Sequence, residues 1–466
     1  MMLRQSTITV GLLILLLCAQ GQAQVKEISP VEQRANNVMS LIQPAPTGFE
    51  KYFSKAFLAH IPAEKLTEVL TFYYANLGRC LKVEPTALKD SLTGNFNLVF
   101  EKNAFAPISL ALDPAEPHLI IEFIIGNPGS LPSPPVADDP SKGFKEREVT
   151  FAGVGGLSLH GTLLLPSASK GKAPGLLLLP GSGPTGRNGD QPPLLVTDLL
   201  KQIAERLAKE GFASLRFDKR GAPGYARFFP TDVAQQNDFF SWDSFVGDAK
   251  AGLAFLQAQP EVDGKRIVVA GHSEGGTIAM QMGHDLQGAA NAPAGLILLS
   301  TPGRTAAAII TEQVTMSLKR SGLTDDKARP YLEYVQMAFA QIEKDGTMPT
   351  NPPPSGLEGL FPPGAAKLLR VELAFDPAAV LPVYSGPVLV VQGEKDIQIS
   401  ATRDAPVIEA ALKQRKRGAY EVFFVPSASH NLKKVDNENV EPGFAGPVVP
   451  AALDKIAAWM KKTLSR

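Results

Sequence analysis

Three residues whose types and order could perform nucleophilic chemistry stand far apart in this chain: Ser273, Asp396 and His430. Ser273 lies in IVVAGHSEGGTIAM (267–280), where a run of β-formers breaks at a glycine-boxed serine and resumes as helix-formers. Gly271-His-Ser-Glu-Gly275 is G-x-S-x-G, a short pattern that carries little alone. A strand before it and a helix after it are what a nucleophile elbow requires. The glycines fit a strained turn, because a serine at so tight a tip leaves no room for side chains two residues away. A hydroxyl also needs a base, itself oriented by a third group.

The order expected downstream of such an elbow is acid, then histidine. Only His284 and His430 follow Ser273. His284 falls on the elbow helix, too near to fold back, and reads as a surface or packing residue. His430 follows the last apolar strand in VPSASHNLKK, where a loop can carry it to the serine. The acid should end the preceding strand, and VLVVQGEKD (388–396) supplies Asp396, with Glu394 as the runner-up and otherwise a solvated loop charge. An anion developing in acyl transfer needs backbone donors. The amide of Glu274 is one, its side chain being incidental, and the amide of Ser182 in LLLLPGSGPTGRNGD (176–190) is the other.

That loop also spells G-x-G-x-x-G at Gly181–Gly186, and the next strand ends in Asp218. A dinucleotide site would need a helix to start at the glycines, but Pro184 and TGRNGDQPP delay it to about Asp198. Asp218 is also later than the usual spacing of about 20 residues. Asp218-Lys-Arg-Gly221 reads as an Asp and Arg pair bracing loops beneath the site.

The elements that must position these residues follow from periodicity. Apolar strands at Val149–Phe151, Leu157–Leu165, Leu176–Leu179, Phe212–Phe217, Arg266–Ala270, Gly295–Leu299, Val388–Val391 and Tyr420–Val425 alternate with helices at Asp198–Glu210 and Phe245–Gln257. This predicts a mostly parallel eight-stranded sheet covered on both faces. Between residues 302 and 386 the alternation stops, which predicts a helical cap inserted over the carboxyl edge of the sheet. Its stripe of Val335, Phe339 and Ile342 could line an acyl pocket or pack the cap. Upstream, a helical stripe at Ala63–Leu77 precedes β-like runs at Asn95–Phe100, Ile108–Leu112 and Leu119–Ile125, a small α+β domain over 24–126. A Pro- and Ser-rich linker at 127–143 separates it from the domain at 144–466.

The chain has 466 residues and balanced charge, 46 basic against 46 acidic, so no field points to nucleic acid or an anionic membrane. Residues 1–23 read as an export signal, with Arg4, a short apolar run and small residues Gly21 and Ala23. The run is too short for a span of about 20 residues. The mature chain is therefore expected outside the cytoplasm, periplasmic or extracellular. A lipid anchor at Cys18 is the alternative, and bulky Leu17 argues against it. Cys80 is then the single mature cysteine, a core filler.

The segment from about 145 to 466 resembles the α/β-hydrolase superfamily. Within it GSGPTGRNGD, FDKRG, GHSEGG, GEKDIQIS and SHNLKK are similar to secreted bacterial serine esterases whose oxyanion loop usually reads HGSGP. Pro180 stands where that family commonly has His. FSKAFLAHIPAEKLTEVLTFYYANLGRC also looks like the cone-shaped accessory domains ahead of some such hydrolases. The resemblance implies hydrolysis of small-molecule carboxylic esters through an acyl-serine, with no metal and no organic cofactor. Peptidases and acyltransferases share the fold, and a non-catalytic binding protein is a further alternative. An intact Ser273, Asp396 and His430 argues against the last.

Overall fold

The computed structural model describes residues 28–101, 104–126, 128–130, 140–167, 171–192, 195–436 and 446–465. Residues 1–27, where the export signal is expected and Cys18 stands, and most of the expected linker at 127–143 lie outside the described residues. Two compact units result, the first ending at residue 127 and the second taking in 104–105 and everything from 128.

The first unit opens with helices α1 (Pro30–Leu41), α2 (Lys55–His60) and α3 (Ala63–Leu77). Ser29 and Glu32 close a capping box at the start of α1. Leu66, Leu70, Tyr73 and Leu77 form the buried face of α3. Four strands follow, β1 (Cys80–Leu88), β2 (Thr93–Phe100), β3 (Ala104–Leu112) and β4 (Ile120–Ile125), in the order β1-β2-β3-β4. This antiparallel sheet with its helices is the small α+β unit that the sequence predicts. β1 is an addition, since its side chains are half-buried or exposed and give no apolar run.

The second unit includes the two-residue β5 (Gly129–Ser130) and is built on eight further strands. They are β6 (Phe144–Ala152), β7 (Ser158–Pro166), β8 (Ala173–Leu179), β9 (Ala213–Phe217), β10 (Val262–His272), β11 (Gly295–Leu299), β12 (Val388–Gly393) and β13 (Tyr420–Val425). Their order is β13-β12-β11-β10-β8-β9-β7-β6. Pairing is parallel from β13 through β9, and antiparallel where β7 meets β9 and β6 meets β7.

Alternation along each strand sends neighbours to opposite faces, and both faces are covered. Leu177, Leu179, Val269, Leu296 and Leu298 pack on α6 (Trp242–Gln257), α7 (Glu274–Asp285) and α12 (Ala405–Lys413). Leu176, Leu178, Val268, Ala270 and Ile297 pack on α4 (Leu199–Lys209) and α13 (Pro450–Leu464). Burial on both faces is why these strands read as continuous apolar runs.

Between β11 and β12 lie helices α8 (Ala306–Arg320), α9 (Asp325–Asp345), α10 (Ala366–Ala374) and α11 (Pro377–Val380). Val335, Phe339 and Ile342 of α9 join Val314, Leu369 and Leu373 in a core of the cap's own. The stripe therefore packs the cap and does not line the pocket described below.

Buried ion pairs tie the loops at the sheet's carboxyl edge to the helices. Arg220, 2% exposed, gives Nε and Nη2 to Asp248 of α6 at 2.7 Å each and bonds the carbonyls of Phe239 and Val154. Asp248 also accepts the Val154 amide at 2.8 Å. Removing one partner leaves the other charged and dry, so Asp248→Ala should cost about 3–5 kcal/mol of unfolding free energy. Urea denaturation measures this, and a loss below about 1 kcal/mol would contradict the network's role.

Candidate active site

Strand β10 is central, and Ser273 follows its last residue at φ 54° and ψ −122°. Its amide bonds the Leu299 carbonyl at the end of β11 at 2.9 Å, which fixes the turn to the neighbouring strand. Glycine is required on both sides. A Cβ at Gly271 would run into the Gly275 carbonyl, one at Gly275 into the Leu179 and Pro180 carbonyls, and one at Gly276 into Thr301. So compact a crossing is what lets α7 begin directly at Glu274.

Asp396 sits in the turn after β12. One carboxylate oxygen accepts the amides of Gln398 and Ile399, each at 2.8 Å. The other accepts Gln392 Nε2 at 2.9 Å and lies 2.9 Å from His430 Nδ1. Four contacts fix the carboxylate, and it in turn fixes the imidazole with Nδ1 as donor and Nε2 on the opposite side of the ring. Glu394 is exposed, with its amide on the Val425 carbonyl, and takes no part in this pairing. His284 is an α7 surface residue next to Asp285.

A second histidine, missed by pattern reading, steadies the first. His272 lies under His430 with ring centroids 4.6 Å apart, and its Nε2 is 3.0 Å from the His430 carbonyl. A carbonyl can only accept, so His272 donates. Burial, reinforced by His430, pushes its pKa down to about 3, and it stays neutral in that role.

Ser273, Glu274, His272, His430 and Ser182 line one cavity of ≈ 380 Å³. Its roof comes from the cap, with Ala306, Ile309, Ile310 and Gln313 of α8, Glu372 of α10 and Phe375. The loop after β8 lies against the serine: a Cβ on Gly181 would be 3.3 Å from Ser273 Cβ. Arg187 clamps that loop to Asp218 through its amide and guanidinium, and reaches Glu148. Asp218 and Arg220 thus both brace loops, each through a different partner. No helix starts at the glycines of this loop, since α4 begins at Leu199. Among the described residues neither the Ser182 nor the Glu274 amide has an acceptor in the protein.

The Glu274 side chain is not incidental. It is 8% exposed, and its carboxylate meets Lys219 Nζ at 2.5 Å, beside Glu372 of the cap. Nothing local in the sequence joins these three, which come from the turn after β9, the start of α7 and α10.

Residues 197–351 match the family model described as "Serine aminopeptidase, S33", which spans β9 to β11, the elbow and part of the cap. The match covers about a third of the chain, and the eight-stranded sheet of the second unit has the α/β-hydrolase topology. Among solved structures similar to this hydrolase, Est1E from Butyrivibrio proteoclasticus is 18% identical, covering 68% of this chain and 99% of its own, with a TM-score of 0.43. The α/β hydrolase GrgF from Penicillium sp. sh18 is 17% identical over 69% and 100%, also at 0.43. An esterase of Pyrococcus furiosus is 16% identical over 71% and 97%, at 0.42. Comparison by sequence with curated proteins gave no match.

One pH effect follows from the cap carboxyl. Burial, then the Glu274 carboxylate, push Glu372 from 4.5 up to about 8, with Lys219 pulling the other way. The hydrolase fold therefore prefers protonated Glu372. Its contribution is fully present below the unfolded value and is lost as pH rises through about 8. Glu372→Gln, a neutral isostere, should flatten the fall in stability between about pH 5 and pH 9. Parallel stability profiles for the two proteins would contradict the assignment.

Proposed function

We propose that this hydrolase cleaves carboxylic esters of small molecules through an acyl-serine, with Ser273 as nucleophile, His430 as base and Asp396 orienting it. One observation carries the reading: the buried Asp396–His430 pair opens onto the same cavity as Ser273 and two acceptor-free amides. His430 Nε2 takes the hydroxyl proton as Ser273 Oγ attacks the carbonyl carbon, and the oxygen anion that forms is met by the amides of Ser182 and Glu274. The proton then passes to the leaving alcohol as the ester bond breaks. Water, deprotonated by the same imidazole, releases the acid and restores the serine.

A cavity of ≈ 380 Å³ roofed by Ile309, Ile310 and Phe375 suits a small or moderate acyl group and excludes a folded polymer. A second reading, cleavage of an aminoacyl amide, is favoured by the aminopeptidase description of the matching family model. Rates on acetyl to long-chain aryl esters against aminoacyl anilides separate the two, and preference for the anilides would turn the assignment to a peptidase. A fluorophosphonate should label Ser273, and Ser273→Ala should lose both label and about a millionfold in turnover. Asp396→Asn should lose about 10⁴-fold. Labelling that persists in Ser273→Ala would overturn the enzyme reading.

A further inference from the structure

Lys219 is 5% exposed, and an ammonium is seldom buried without dedicated partners. Its Nζ lies 3.3 Å from the Gly181 carbonyl, 2.5 Å from Glu274 Oε1 and 4.5 Å from the centroid of the Phe245 ring on α6. The first two partners belong to the two segments that carry the acceptor-free amides of Ser182 and Glu274 and line the Ser273 cavity. We propose that Lys219 is the positioning residue of the oxyanion site, holding the Gly181–Ser182 peptide so that the Ser182 amide points at the reacting carbonyl oxygen and tying it to Glu274. This inference rests on the acyl-serine reading above.

The geometry follows from peptide planarity. The Gly181 carbonyl and the Ser182 amide share one trans plane and point in opposite directions, so holding the oxygen aims the N–H. The next plane is held as well, because the Ser182 carbonyl accepts Thr185 Oγ1 at 2.7 Å and Gln191 Nε2 at 3.0 Å. Such clamps are needed because Gly181 and Gly183, the latter at φ 82°, flank the serine, and glycine lets a peptide plane rotate at little steric cost. Lys219 is the bond on the Gly181 side. An ammonium on the carbonyl also polarises the peptide and makes its N–H a better donor. Glu274 Oε1 keeps the ammonium in place, and its own amide supplies the second donor from the first turn of α7.

The test uses full-length protein labelled with ¹⁵N-serine, with Lys219→Met and Lys219→Met/Glu274→Gln. The double variant removes both buried charges and keeps the experiment interpretable where the single one folds poorly. Kinetics are normalised to sites titrated with fluorophosphonate. Both variants should lower kcat about 10- to 100-fold, a fraction of the loss from deleting an oxyanion donor, with KM within about threefold. Affinity for an aryl trifluoromethyl ketone should fall in parallel with kcat, affinity for the product acid should hold, and the Ser182 cross-peak should move. A merely structural lysine would lower Tm yet leave kcat per titrated site and ketone affinity intact. Retained kcat per site, or an unmoved Ser182 cross-peak in the folded double variant, overturns the proposal. If the wild type neither turns over ester nor takes the label, the acyl-serine reading fails on its own, and the Ser182 cross-peak alone then decides for or against the lysine's hold on the peptide.

Discussion

The backbone of one residue constrains the rest of the second unit. Ser273 is held at φ 54°, a conformation that costs a non-glycine residue about 1–3 kcal/mol and persists only when its surroundings over-determine it. They do so from three sides: β11 takes its amide, the crossing at Gly271 and Gly275 leaves no space for a Cβ, and Thr301 closes on Gly276. Strand, turn and helix must then follow in that order. The serine hydroxyl is left at the carboxyl edge of the sheet, where the loops after β8, β12 and β13 converge.

Around this turn the protein places buried charges in pairs. Arg220 with Asp248, Arg304 with Asp404 and Lys219 with Glu274 each join a loop at the sheet edge to another element. Asp404 is fully buried and also accepts the amides of Gly303 and Arg304, the residues that lead from β11 into the cap. Such pairs add little net stability against apolar replacements, but they hold loops to a definite geometry as long as both partners remain. A catalytic constellation carried on loops needs that kind of support.

Most of the sheet was legible in the sequence because its strands are buried on both faces and appear as runs such as Leu176–Leu179 and Val388–Val391. β6 is longer than its apolar signal, since pairing with β7 extends a largely exposed strand to nine residues. Chain order and strand ends single out Ser273, Asp396 and His430 as candidates, and the structure pairs Asp396 with His430 and puts His430 and Ser273 on one cavity. Lys219, His272 and Glu372 could not be picked out in this way, because their roles depend on partners across the fold. Lys219 meets a carboxylate 55 positions later, and Glu372 reaches Glu274 only once the cap has folded over the edge. Periodicity reports which face is buried, but it carries no information about which buried charges meet.

In the proposed mechanism the elbow presents Ser273 to a site whose anion donors are the Ser182 and Glu274 amides. A crystal structure of the protein inactivated by an aryl phosphonate tests it most directly. Phosphorus should be bonded to Ser273 Oγ, with one phosphonyl oxygen about 2.7–3.1 Å from both amides. An adduct on another residue, or a phosphonyl oxygen turned away from both amides, would contradict it.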